Sequence, residues 1–207
     1  MLEITARTLA ISGTATLLAA LVWIPLGCLI HFSDFRGKRF LVSVIQTFYS
    51  VPTVFVGLLV FMAISRDGPL GFVGILFTPW AMIMGQMLLI GPIVTGLTIS
   101  ALSGVAPEIR DTAVSLGASR AQTVRAVLLE ARYATMTAIL MGFGRAVSEV
   151  GIAIMVGGNV AGLTRVLSTA IALGVGEGKT AEPLALGMIL ISLALAVSVL
   201  AGRLQHR

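Results

Sequence analysis

Charged side chains are scarce in this sequence. Only 11% of the 207 residues are Asp, Glu, Lys or Arg, and 57% are apolar, whereas about a quarter of the residues in a soluble domain are charged. This scarcity excludes an ordinary soluble protein and indicates that lipid surrounds most of the chain. The net charge of +5 does not indicate a nucleic-acid surface, because the basic residues are scattered between apolar runs.

Cysteine and histidine are almost absent. Cys28 is the only cysteine, so neither a disulfide nor a thiolate metal site can form within one chain. The two histidines, His31 and His206, lie at predicted cytoplasmic flanks, and no carboxylate pair lies within a span. A membrane enzyme needs a nucleophile with a base or a metal site. We therefore expect no catalytic residue, metal ligand or cofactor in this chain, which also lacks the Gly-rich loop that binds ATP phosphates.

Long apolar runs are what the sequence has instead. A helix needs about 20 apolar residues to cross a hydrocarbon core about 30 Å thick. Five such runs predict an all-α integral membrane protein, with residues 1–207 forming one transmembrane domain. The predicted spans are 9–30, 41–64, 79–102, 133–156 and 183–202. Pro25, Pro52 and Pro92 fall inside spans, where we expect them to kink the helices.

The distribution of basic residues predicts the topology. Nine of them fall in connections that lie on one side of the predicted spans, whereas Arg7, Arg66, Arg165 and Lys179 fall on the other side. The richer side is expected to be cytoplasmic, which places the N-terminus outside and the C-terminus inside the cell membrane, the inner membrane where a cell has two. The nine residues are Arg36, Lys38, Arg39, Arg110, Arg120, Arg125, Arg132, Arg203 and Arg207.

The glycine-rich stretch 157–182 follows the fourth predicted span. It contains an apolar run, 166–175, that is too short to cross a bilayer. We expect this run to form an interfacial or partly re-entrant helix on the outer side.

A polar stretch, 106–130, separates the third predicted span from the fourth on the cytoplasmic side. Pro107 suits the first turn of a helix, Asp111 complements its positive end, and Gly117 can adopt the left-handed conformation that ends it. Ser119 and Gln122 have the spacing of a capping box, which begins a second helix. We expect this second helix to continue without a break into the fourth span.

The first of these two helices has an apolar face. Ile109, Ala113 and Leu116 share that face and would rest on the bundle, while polar and small residues would point outward. Either a surface connector or a docking element for a partner protein fits this pattern.

The same stretch resembles the EAA loop of ATP-binding cassette importer permeases. The residues that follow its pattern are Asp111, Thr112, Ala113, Gly117, Val127 and Leu129. Asp111 replaces the family's Glu, Thr112 its first Ala, and Glu130 the Pro that ends the pattern. On this resemblance we assign coupling to an ATPase to Glu108, Arg110, Asp111, Thr112, Ala113, Leu116 and Gly117.

The resemblance covers nearly the whole chain and is nearest to the type I permeases for molybdate and tungstate, above all those for tungstate. It is carried by short motifs at 24–27, 68–71, 78–79, 142–146, 149–151, 157–159 and 164–167. It implies a homodimer with one central path, two cytoplasmic ATPase subunits that hold ATP and Mg, and an extracytoplasmic binding protein. The implied cargo is an oxyanion, tungstate first, with molybdate or another anion as the alternative.

A channel or a secondary transporter is a further alternative. Secondary transporters commonly contain two related halves, and we find no internal repeat in this sequence. Neither class requires a cytoplasmic docking helix, so the 106–130 stretch favours the ATP-driven class.

Arg145 and Glu149 lie one helical turn apart in the fourth predicted span and could neutralise each other. They form either a structural ion pair or part of an anion path, in which Glu149 would moderate the hold of Arg145 on a dianion. Ser148 either permits close helix packing or lines the path, and 157–159 forms either a nest of amides for an oxyanion or a glycine-rich turn. The candidate path residues are Gln86, Arg145, Ser148, Glu149 and Asn159.

Overall fold

The structure is a computed structural model that describes residues 1–205, so His206 and Arg207 lie outside the described residues. All regular structure in this range is helical, which confirms the all-α class. Short 3₁₀ turns occupy Phe48–Ser50 and Gly71–Val73. The α-helices are α1 (Leu2–Phe32), α2 (Lys38–Thr47), α3 (Thr53–Ile64), α4 (Pro79–Ser103), α5 (Pro107–Ser115), α6 (Arg120–Glu130), α7 (Arg132–Val147), α8 (Gly151–Gly157), α9 (Leu167–Gly176) and α10 (Ala181–Gln205).

Three helices, α1, α4 and α10, are long and apolar enough to cross a membrane without interruption. They confirm the first, third and fifth predicted spans. Pro25 and Pro92 lie inside α1 and α4, and neither residue ends its helix. The short apolar helix expected at 166–175 is also present, as α9.

The second predicted span, 41–64, is not one helix. The segment before Pro52 and the helix α3 that follows it are bent by 99° relative to each other. Val51 has extended backbone, as a residue before proline prefers, and the Pro52 carbonyl accepts the amide of Val56 at the start of α3. Pro52 therefore separates two helices, where we had expected only a kink.

The fourth predicted span, 133–156, is broken as well. Helix α7 ends at Val147 and α8 begins at Gly151, so the span is not continuous. The expected continuous helix from the polar stretch into this span is also wrong, because α6 and α7 meet at 66°. Ala131 lies at this bend and is buried in a small core with Leu102 and Val127. No proline is present at the bend, so we attribute it to this packing. Counting each bent pair, α2–α3 and α6–α7, as one span gives up to five spans.

Helix α4 occupies the centre of the bundle and packs against α1, α7 and α8. Small residues bring α1 and α4 close together: a Cβ on Gly27 would lie 3.0 Å from the backbone oxygen of Thr95. Trp23 of α1 also donates its indole N–H to the Met87 carbonyl, at 3.1 Å. Close backbone approach of this kind is typical of helices in lipid, where no hydrophobic force drives them together.

Replacing Gly27 with Leu should destabilise the protein by about 2 kcal/mol, since the side chain would overlap the Thr95 backbone. The measurement is the melting temperature of the protein purified in detergent. Gly13→Leu in the same helix is the control, because no described atom lies within 4 Å of a Cβ at that position. Equal melting temperatures for both variants would contradict the α1–α4 packing.

Candidate functional site

The polar stretch 106–130 lies where α1 and α4 end, and its first helix, α5, stops as the sequence predicts. Gly117 has a left-handed backbone with φ of 78°. The Ala118 amide donates to the Ala113 carbonyl at 3.0 Å, and the Gly117 amide donates to Val114 at 2.9 Å. These two bonds form a Schellman motif, which fixes the direction in which the chain leaves α5.

Helix α6 begins with the expected capping box. The Gln122 amide donates to Ser119 Oγ at 3.4 Å, and the Ser119 amide donates to Gln122 Oε1 at 2.7 Å. Because this cap follows the Schellman motif at once, the turn between α5 and α6 is hydrogen-bonded on both sides.

The outward surface of α5 combines apolar and charged groups. Ile109 and Ala113 are half-buried, as expected for the face that rests on the bundle. Leu116 is 83% exposed, so its expected place on that face is wrong. The reason is that α5 ends at Ser115 and Leu116 already belongs to the terminating turn. The remaining coupling candidates are also exposed: Glu108, Arg110, Asp111, Thr112 and Gly117.

The polar stretch is attached to the ends of the membrane-spanning helices. The Arg120 guanidinium donates to the Phe32 carbonyl at the end of α1, at 3.4 Å. Val127 packs against Leu102 near the end of α4. A cleft of about 720 Å³ opens beside the polar stretch. It is lined mainly by small residues of α4 and α7 and by Ile109 of α5. A movement of α5 that α6 followed would therefore change both the helix ends and the cleft.

The Arg145 and Glu149 side chains form an ion pair, with Arg145 Nη1 at 2.9 Å from Glu149 Oε2. Glu149 lies in the break between α7 and α8, and its other carboxylate oxygen accepts the Ile152 amide at 3.0 Å. Its backbone carbonyl accepts Ser168 Oγ at 2.6 Å. The Glu149 residue thus joins the end of α7, the start of α8 and the start of α9.

These contacts support the structural interpretation of the pair. The Glu149 side chain is 1% exposed and both of its oxygens are occupied, whereas the Arg145 side chain is 33% exposed. A place for Arg145 and Glu149 on an anion path stays a prediction.

Two other path candidates lie close to this break. Gln86 of α4 is buried and donates to the Ala146 carbonyl of α7 at 3.2 Å, while its Oε1 has no partner in the described range. Ser148 is exposed, and its hydroxyl bonds to the carbonyls of Gly144 and Arg145 at the end of α7. Gln86 would reach a path only if α4 and α7 separated, so its role there stays a prediction.

The stretch 157–159 forms a turn that ends α8. The Gly158 amide donates to the Ile154 carbonyl at 3.0 Å, and the Val160 amide donates to Thr164 Oγ1 at 2.8 Å. The Gly158 amide of the predicted nest is therefore occupied by the protein, and so is the Val160 amide that follows the stretch. Asn159 has a φ of 51°, and its place on a path stays a prediction.

Two contacts near this turn were not predicted from the sequence. Arg7 of α1 donates to the Arg165 carbonyl at 3.0 Å, and Ser168 holds the Glu149 carbonyl. Arg7 and Arg165 had been counted only as topology signals. The motif at 164–167, which contains Arg165, is the sequence feature that could have directed attention to this region.

Comparisons with known proteins agree on one family. The family described as the binding-protein-dependent transport system inner membrane component matches residues 23–207. A probable anion ABC transporter permease protein of Haloferax volcanii is 40% identical over 100% of this chain and 91% of its own length. The tungstate uptake system permease protein TupB of Peptoclostridium acidaminophilum is 40% identical over 95% of this chain and 86% of its own length.

Solved structures support the fold. The inward-facing MetNI methionine ABC transporter matches with a TM-score of 0.79 over 98% of this chain and 93% of the matched chain. The sequence identity is 19%, so this match bears on the architecture alone.

Replacing Arg145 with Gln should lower the stability of the protein by about 3 kcal/mol, because it leaves the buried Glu149 carboxylate without its counter-ion. The double variant Arg145→Gln, Glu149→Gln should recover most of the loss in melting temperature. Arg132→Gln is the control. Arg132 lies at the other end of α7, where its guanidinium lies over the Tyr133 ring and faces no buried carboxylate in the described ion pairs. A single variant as stable as the unmodified protein would contradict the structural role.

Proposed function

Because the chain belongs to the binding-protein-dependent transport system inner membrane component family, we propose that it is the permease subunit of an ATP-binding cassette importer for tungstate. Two tungstate uptake permeases and a probable anion permease are 36 to 40% identical to it over most of its length. Permeases named for sulfate and molybdenum transport reach only 25 to 30%. Tungstate is therefore the first candidate cargo, and another oxyanion is the alternative.

The observation that carries the transport role is α5. This helix is closed by a Schellman motif and presents Leu116 and the charged residues of its turns outward. The helix that follows it at once, α6, contacts the ends of α1 and α4. Helix α5 thus offers a cytoplasmic ATPase subunit a rigid element to grip. ATP and Mg would be held by that subunit.

Movement of α5 would be transmitted through α6, against which it packs, and then through two contacts. The Arg120 bond to Phe32 leads to α1, and the core of Leu102, Val127 and Ala131 leads to α4 and α7. When the ATPase subunits close, α5 would move with them, and the spans would rotate as rigid bodies to open the outer side. The chain itself contributes no chemical step.

The same family membership supports the assembly that we propose. Two copies of this multi-pass chain would enclose one path in the inner membrane, with the N-terminus outside and α5 in the cytoplasm. A bacterial alginate ABC transporter, matched with a TM-score of 0.73 and 20% identity, was solved with a substrate-bound periplasmic protein. An extracytoplasmic binding protein would deliver the oxyanion here in the same way.

Restoring this gene to cells that lack it should restore tungsten accumulation at trace external tungstate, with molybdenum unchanged. Elemental analysis of washed cells measures both metals. Restoration of molybdenum alone would move the cargo to molybdate. Restoration of neither metal would contradict both tungstate and molybdate and return the cargo to the other anions of the wider family.

Gly117→Arg should reduce uptake several-fold while ATP hydrolysis continues, because a side chain at a φ of 78° strains the turn that ends α5. Gly178→Arg is the matched control. Gly178 has a φ of 73° and equally open surroundings, but it lies in the connection between α9 and α10. Normal uptake by Gly117→Arg, or equal losses in both variants, would contradict the coupling role of α5.

A further inference from the structure

Two arginines meet at the end of the bundle opposite α5. Arg7 lies near the start of α1, and Arg165 lies just before α9. The Arg7 guanidinium donates through Nη1 to the Arg165 carbonyl at 3.0 Å. Both residues are half-buried, so their charges are only partly screened by water.

Neither arginine has a carboxylate partner among residues 1–205. The ion pairs in this range join Arg145 to Glu149 and Lys179 to Glu177. The hydrogen bond from Lys179 lowers the pKa of Glu177, and the charge of Arg165 adds to that effect. Glu177 is thus near enough to interact electrostatically with Arg165. Its carboxylate is nevertheless paired with Lys179, whose Nζ lies 2.7 Å from Glu177 Oε2.

The Arg165 guanidinium also has unused hydrogen-bonding capacity. Its Nε is buried without an acceptor in the described range, and its Nη2 makes a long bond of 3.3 Å to the Asn159 carbonyl. A buried donor without an acceptor is costly. This cost would fall if an anion bound there.

The position of the pair follows from the length of α1. Arg7 and Phe32 lie 25 residues apart on this helix, which corresponds to about 38 Å. The Phe32 end carries the contact with Arg120 and the α5–α6 stretch. If α5 is cytoplasmic, as the proposed function requires, Arg7 and Arg165 lie at the outer mouth.

The pair is also connected to the ion pair at the α7–α8 break. Ser168 follows Arg165 by three residues and holds the backbone carbonyl of Glu149 at 2.6 Å. Glu149 in turn holds Arg145. An anion that left Arg165 would therefore be close to Arg145, a second partly exposed arginine, at the α7–α8 break.

We propose that Arg7 and Arg165 form an anion-binding site at the outer mouth, which receives a tetrahedral oxyanion of charge −2 before it enters the path. The site rests on the proposed function, because that function fixes which end of α1 faces outward. Guanidinium groups suit this ligand, since their planar N–H donors can bind two oxygens of one anion and they keep their charge at any physiological pH.

The test measures equilibrium binding of radiolabelled tungstate to the permease with its ATPase subunits in lipid nanodiscs, without the binding protein. Arg165→Gln and Arg7→Gln should each weaken binding at least about tenfold, as loss of a charge-assisted hydrogen bond would. Arg66→Gln is the matched control, since Arg66 is an exposed arginine in the other outer connection. Melting temperatures of all variants check that the fold is retained.

Several outcomes would overturn the site. Absence of binding by the unmodified complex, or equal binding by all variants, would do so. Normal tungstate binding with reduced stimulation of ATP hydrolysis by the binding protein would assign the arginines to protein docking instead. ATP-driven tungstate uptake by the unmodified complex with its binding protein is measured in parallel. Its success or failure tests the proposed function separately from the site.

Discussion

The fold depends on one constraint: inside a bilayer, every backbone N–H and C=O must find its partner within the protein. An unbroken helix meets this constraint by itself, as α1, α4 and α10 do. A broken span meets it only where side chains replace the missing helical bonds. The break between α7 and α8 has such replacements, since Glu149 accepts the Ile152 amide and Ser148 binds the carbonyls at the end of α7.

Glu149 therefore has a structural importance that its single charge does not suggest. A buried carboxylate is stable only when it is paired and hydrogen-bonded, and this one has Arg145 on one oxygen and a backbone amide on the other. The same residue accepts Ser168 through its carbonyl. Three helices, α7, α8 and α9, are thus positioned by one residue in a break, and Arg145 is held with its side chain 33% exposed.

Features with local causes could be predicted from the sequence, whereas features set by packing could not. Gly117 and the Ser119–Gln122 box act within a few residues, and both formed as expected. Pro25, Pro52 and Pro92 look alike in apolar runs, yet only Pro52 separates two helices. The bend at Ala131 depends on Leu102, nearly thirty residues earlier in the chain. Arg7 and Arg165 were missed for the same reason, since 158 residues separate them.

An importer for a dianion must attract its cargo and then release it. On the proposed function, the arrangement of arginines meets both needs. Arg7 and Arg165 form no ion pair in the described part of the chain, and Glu177, the carboxylate near Arg165, is bonded to Lys179, so neither arginine is directly paired at the outer mouth. Arg145, further in, shares its charge with Glu149 at 2.9 Å, and a nearby carboxylate weakens the hold of an arginine on an anion. Attraction would thus decrease along the inward direction, and the final release would be left to the movement that ATP drives.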